Sequence, residues 1–137
     1  MTKIRYKVGR DIPKSIPELL YGMVKNAVGH DRAIPRERIQ EIFLDRYDVD
    51  IDDRAIRLAA EKVRNEGKRL IDLEDGCGMF IASTEAEYQQ FRARYGSHAF
   101  TLLRTIRAMD RGVNVTEISD YEVEEINEQY RQVSLLG

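Results

Sequence analysis

Residues 53–82 change hydrophobic period part-way along, and that change narrows the fold more than any other feature of the chain. Over 54–66 the apolar residues Ile56, Ala59, Ala60 and Val63 recur at three- and four-residue spacing, as in a helix with one buried stripe. Gly67 closes this stretch. Two short strand-like runs follow, Arg69-Leu70-Ile71-Asp72-Leu73 and Met79-Phe80-Ile81-Ala82. Between them, Glu74-Asp75-Gly76-Cys77-Gly78 supplies the glycines that a hairpin turn needs for positive φ. The segment predicts a helix running directly into a two-stranded hairpin.

Upstream, Ser15 is the expected cap of a first helix, with Pro17 in its first turn. Ile16, Leu19, Leu20, Met23, Val24 and Ala27 form its apolar face, and Gly29 ends it. His30–Ile34 reads as a connector in which Ala33-Ile34 makes a brief strand. Pro35 opens a second helix with Ile39, Ile42, Phe43 and Tyr47 on one face. The acidic run Asp48-Val49-Asp50-Ile51-Asp52-Asp53 reads as a turn, with Asp52 or Asp53 capping the third helix.

Downstream, Thr84 and Glu87 have capping-box spacing and start a long helix to about Asp110. Gly96-Ser97 is a place for it to bend, and Arg111-Gly112 ends it. Ser119 and Glu122 make a second capping box, ahead of a helix over roughly 120–132. The expected class is α+β, mainly α. The order helix, short strand, helix, turn, helix, hairpin is the plan of a winged helix-turn-helix domain, here with a two-stranded wing, a long C-terminal helix and a further acidic helix. The expected divisions are 1–14, a basic extended arm with an edge strand as the alternative; 15–83, the winged-helix domain; 84–111, a long helix suited to dimerisation; and 112–137, a helical acidic tail.

The formal charge of −2 averages unlike parts. Residues 113–137 carry six acids and one base, a net −5, which leaves +3 on residues 1–112. The first 14 residues alone hold five bases against Asp11, a net +4. Such asymmetry suggests charged partners. On the third helix, Arg54, Arg57, Lys62 and Asn65 lie opposite the apolar stripe, where a recognition helix presents donors to base edges in the major groove. Arg64, Lys68 and Arg69 lie near the hairpin and suit phosphates, and Lys3, Arg5, Lys7 and Arg10 of the arm suit an adjacent minor groove. The acids at 48–53 and at the wing tip, Glu74-Asp75, weigh against a polyanion.

The run from Asp52 to Arg111 resembles the winged-helix segment of small phage and prophage proteins. Asp53-Arg54-Ala55-Ile56-Arg57, Val63-Arg64-Asn65-Glu66-Gly67, Leu70-Ile71, Gly78-Met79-Phe80-Ile81-Ala82 and Ser83-Thr84-Glu85-Ala86-Glu87 carry the resemblance, over about 60 residues with a looser fit back to Ala33. It implies a DNA-binding module of replication initiation or transcription control, with double-stranded DNA as partner, in the cytoplasm of a bacterial host. The acidic wing tip and residues 1–14 and 113–137 depart from that pattern.

In the long helix, Tyr88, Tyr95, Leu102 and Met109 repeat every seven residues, with Phe91 and His98 at the intervening offset, and Ile106 extends the stripe. A helix of about 25 residues reaches ~38 Å, longer than a small domain covers, so this seam is the expected interface of a homodimer. The rival reading is a protein-interaction module, an adaptor or inhibitor of a host machine, working through this helix and the acidic tail. A further idea is that the tail shields the basic face until a partner releases it.

Other chemistry is set aside. One cysteine and two histidines cannot build a His/Cys-rich metal site or a disulfide framework, and no cofactor is expected. Asp48-x-Asp50-x-Asp52 opens like a calcium loop but has Asp53 where glycine is needed and Ala59 where the bidentate glutamate is needed. Neither His30 nor His98 sits in a nucleophile arrangement, and no enzyme is expected. No apolar run approaches the ~20 residues of a membrane span, and the N-terminus lacks a signal peptide's apolar stretch.

Overall fold

The structure is a computed structural model that describes the backbone at residues 6–7 and 13–136 and the side chains at 13–130. The chain divides into two compact units, Met1–Phe91 and Arg92–Gly137. The described elements are β1 (Tyr6–Lys7), α1 (Ser15–Val24), α2 (Arg36–Tyr47), β2 (Val49–Asp50), α3 (Asp53–Asn65), β3 (Leu70–Asp72), β4 (Met79–Ile81), α4 (Glu85–Arg111) and α5 (Asp120–Leu136). Single 3-10 turns lie at His30–Arg32 and Val115–Glu117. The fold is mainly helical, with a two-stranded antiparallel sheet, as the α+β reading expects.

In the first unit α1 packs on α3 and α2 on both α3 and β2. Ile16, Leu20 and Val24 lie one turn apart and are buried against Ile39, Phe43, Ile56, Ala59, Ala60, Leu70 and Met79. The alanines of α3 are fully buried, which lets the helix approach its neighbours closely. Asp52 is the cap of α3, its Oδ1 accepting from the Ala55 N–H at 2.8 Å. β3 pairs with β4 in the register Leu70–Ile81, Ile71–Phe80 and Asp72–Met79.

Gly78 is demanded by a close approach. The Ile34 and Met79 amides and carbonyls exchange hydrogen bonds at 2.8 and 2.9 Å, so the backbone at 34 lies against the start of β4. Gly78 has φ +103°, and a Cβ there would stand 2.0 Å from the Ile34 carbonyl oxygen.

Several boundaries differ from expectation. α1 ends at Val24 and not at Gly29, because the backbone of 27–29 bonds elsewhere: the Ile81 N–H donates to Ala27 and the Gly29 N–H donates to Ile81. Ser15 is the first helical residue of α1 and makes no cap bond. The acidic run is more than a turn. Asp48, at φ +54°, reverses the chain after α2, and Val49 and Asp50 then form β2, parallel to β1. Val49 and Ile51 are buried while Asp50 is exposed, a period of two hidden by the acidic composition. The extended arm therefore contributes a strand at Tyr6–Lys7. Lys3, Arg5, Arg10 and the Lys7 side chain lie outside the described residues.

α4 starts with the expected capping box: Thr84 Oγ1 accepts from the Glu87 N–H, and Glu87 Oε1 accepts from the Thr84 N–H. It continues through Gly96-Ser97 without interruption. In the second unit Ala108, Ile118 and Val123 form a small core with Leu103 and Val113. Arg104 pairs with Asp120, and Arg111 Nη1 with Glu122 at 2.7 Å. Arg104 also donates to the Ile118 carbonyl. Asn114 and Glu117 close an unexpected capping box at the 3-10 turn. α5 runs to Leu136, past the expected end near 132.

Candidate nucleic-acid interface

α3 sorts its residues as its period requires. Ala55, Ile56, Ala59, Ala60 and Val63 are buried, and Arg54, Arg57, Glu61, Lys62 and Asn65 are exposed. All four residues expected at the major groove therefore occupy one solvent face. Arg54 carries no ion pair among the described residues. Arg57 Nε pairs with Asp53 Oδ2 at 2.9 Å, one turn back. Arg36, at the start of α2, reaches the same carboxylate from the other side, Nε to Oδ1 at 3.2 Å, and stands 3.9 Å from Asp72. Sequence reasoning missed Arg36, because its partner lies on another helix and no local spacing announces it.

The three residues expected near phosphates all lie over aromatic rings. The Arg64 guanidinium is 5.0 Å from the Phe91 ring centre, Lys68 Nζ 5.2 Å from Tyr21, and the Arg69 guanidinium 3.9 Å from Tyr88. Such contacts contribute ~0.5–1 kcal/mol each at exposed sites and orient a cation without neutralising it. Arg64 Nε also donates to the Leu70 carbonyl at 2.7 Å, tying α3 to β3. Arg69 pairs with Glu85 at 2.7 Å, and this bond raises the Arg69 pKa and lowers that of Glu85.

Of the carboxylates that weighed against a polyanion, Asp52, Asp53 and Asp75 have local tasks. Asp52 caps α3 and Asp53 sits between two arginines, while Asp72 Oδ1, in β3, accepts from the Glu74 N–H. Asp75 Oδ1 accepts from the Cys77 N–H at 3.0 Å, and its Oδ2 lies 2.7 Å from His30 Nε2. The Cys77 N–H and His30 hold the Asp75 carboxyl below its ordinary pKa. Loss of hydration, and then Asp75, push the Cys77 thiol up. No sequence spacing linked His30 to Asp75 and Cys77; the pairing of residues 28 and 34 with β4 brings them together.

The expected dimer seam divides. Tyr88 and Phe91 are half-buried beneath Arg69 and Arg64, and Ile106 is half-buried in the second unit. Tyr95, Leu102 and Met109 are 52, 54 and 69% exposed and keep their seven-residue spacing.

No protein-family model, no curated protein and no solved structure matches the chain. No described helix is long and apolar enough to cross a membrane.

Proposed function

We propose that this is a DNA-binding protein of phage type, without enzymatic activity, acting in the bacterial cytoplasm in transcription regulation or replication through a winged helix-turn-helix domain over residues 15–83. The observation that carries the reading is α3, which buries an unbroken apolar stripe and turns Arg54, Arg57, Lys62 and Asn65 to solvent together. Two features support it. The elements run helix, paired residue at 34, helix, helix, hairpin, and residue 34 lies against β4 as the first strand of a winged helix does. Arg64 and Lys68 flank α3 as oriented cations suited to the phosphates beside the groove it would enter, and Arg69 lies beside them, where a phosphate would compete with Glu85 for it.

The test is binding of the full chain to double-stranded DNA as salt is varied. Affinity falls linearly on logarithmic axes, with a slope of about −0.9 per phosphate neutralised. Arg54→Ala with Arg57→Ala weakens binding by about tenfold or more, each good base contact being worth ~1–3 kcal/mol. No binding at low salt sinks the proposal.

A second reading rests on the exposed stripe of Tyr95, Leu102 and Met109. There α4 pairs with a second copy or with a host protein, and the acidic tail contacts that partner. Leu102→Asp returns a dimer to monomer mass in solution if this seam joins two copies. An unchanged dimer excludes it.

A further inference from the structure

The turn of the β3–β4 hairpin and the 3-10 turn after α1 converge on three different metal-ligating side chains. His30 Nε2 lies 2.7 Å from Asp75 Oδ2, and one donor atom from each of His30, Asp75 and Cys77 lies within 4.8 Å of the other two. We propose that His30, Asp75 and Cys77 bind a single Zn2+ ion, with water in the fourth position.

Each ligand is set in place from its own backbone. The His30 N–H donates to Glu87 Oε2 at 3.0 Å, and the ring stands edge-on to the buried Phe80, 5.5 Å between centres. Asp75 and Cys77 are locked to each other, since Asp75 Oδ1 accepts from the Cys77 N–H. Gly76, at φ +86°, and Gly78, at φ +103°, bracket Cys77 and turn the chain so that two residues of one tip face the same point.

The distances suit tetrahedral zinc. Zn–N, Zn–O and Zn–S bonds of ~2.0–2.3 Å place neighbouring donors ~3.3–3.8 Å apart. Drawing the donors in from 4.8 Å, and parting the His30–Asp75 pair by under ~1 Å, takes only side-chain rotation at a tip open to water. The side chains of His30 and Asp75 are 39 and 38% exposed and Cys77 is exposed, so an ion has a path in and room for a water ligand.

Ligand chemistry selects the metal class. A thiolate and an imidazole favour zinc over magnesium or calcium, which take oxygen donors. Binding releases one proton to solvent, from the Cys77 thiol. The proton between neutral His30 and Asp75 passes through solvent to His30 Nδ1 as Nε2 turns to the ion, which breaks the His30–Asp75 hydrogen bond. No oxidant is involved. The ion would fasten the hairpin tip to the segment after α1 and offset the negative charge of Glu74 and Asp75.

The inference is independent of DNA binding, and its test uses the reduced full-length chain with Co2+ as a spectroscopic probe. The expected result is one Co2+ per chain, intense visible bands of tetrahedral cobalt, a thiolate-to-cobalt charge-transfer band in the near ultraviolet, and loss of all of these on adding Zn2+. Cys77→Ser removes the charge-transfer band, and His30→Ala and Asp75→Asn each weaken binding by about tenfold or more. Far-UV circular dichroism verifies that each variant is folded, and a variant that is not is replaced by His30→Gln or Cys77→Ala. Weak octahedral bands without a thiolate transition overturn the proposal. So does a folded Cys77→Ser that binds as wild type, or half an ion per chain, which would place the metal between two copies.

Discussion

The two units of the chain use their apolar residues in opposite ways. In the first, α1, α2, α3, β3 and β4 each send a large side chain into one core, and Leu20, Ile39, Phe43, Ile56, Leu70 and Met79 are at most 1% exposed. In the second, the core is Ala108, Ile118 and Val123 with Leu103 and Val113, while Tyr95, Leu102, Met109, Tyr121 and Tyr130 stay exposed. Burying a large apolar side chain contributes ~1.5–3 kcal/mol, whereas an exposed ion pair such as Arg111–Glu122 contributes ~0.2–1 kcal/mol. The first unit is thus held by its interior. The second has a smaller interior, adds caps and ion pairs, and leaves apolar side chains exposed.

The largest test of that contrast is a pair of core truncations. Phe43→Ala lowers stability by ~3–5 kcal/mol, and Ile118→Ala by ~2 kcal/mol, because the smaller core has less packing to lose. Denaturant unfolding followed by segment-resolved amide exchange should show Phe43→Ala stripping protection from 15–91 first and Ile118→Ala from 100–130 first. Equal loss across both segments in both variants would mean that the units unfold as one, and the contrast would fail.

Two glycines give a smaller pair of effects with opposite signs. Gly78→Ala drives a Cβ to 2.0 Å from the Ile34 carbonyl oxygen at φ +103°, and should cost ~3 kcal/mol. Gly96 lies inside α4 with nothing within 4 Å of an added Cβ, so Gly96→Ala should stabilise by ~0.8–1 kcal/mol. Thermal unfolding reads both. A destabilising Gly96→Ala would show that α4 needs a bend there which the continuous helix does not display.

How much of this was legible in the sequence follows from the range of each signal. The helices with a clean stripe and a local cap, α3 and α4, are readable because Asp52, Thr84 and Glu87 act within one turn. The hairpin is readable because its glycines sit between two apolar runs. Parallel pairing of Tyr6–Lys7 with Val49–Asp50 was not, since residues more than 40 apart set it and acids disguise the alternation of Val49 and Ile51. The early end of α1 was hidden for the same reason, as Ile81 holds the backbone of 27–29. Within the candidate sites, the exposed face of α3 follows from its own period. The aromatic partners of Arg64, Lys68 and Arg69, the Arg36–Asp53 contact and the His30–Asp75–Cys77 cluster all join separate elements, and no local spacing encodes them.

The smallest expected difference lies in the caps of α4 and α5. Glu87 accepts from the Ser83 hydroxyl, the His30 N–H and the Ser83 and Thr84 N–H groups, which hold its carboxyl at about 2 against an ordinary 4.5. Because the native state favours the ionised form, the stability Glu87 contributes is fully present above pH 4.5. It is lost as pH falls from there towards about 2. Solvent at this half-exposed site screens the effect, so a modest shift in melting temperature is expected. Glu87→Gln should melt lower than wild type at neutral pH and lose less on acidification, giving a flatter curve across that window. At the start of α5, Ser119 Oγ accepts from the Glu122 N–H at 3.2 Å, and a hydroxyl does not titrate. Ser119→Ala should therefore cost ~1 kcal/mol, equally at every pH in the window. Melting temperature against pH for wild type and both variants decides the matter: an acid slope in Glu87→Gln as steep as in wild type would show that other carboxylates drive the acid sensitivity of the first unit.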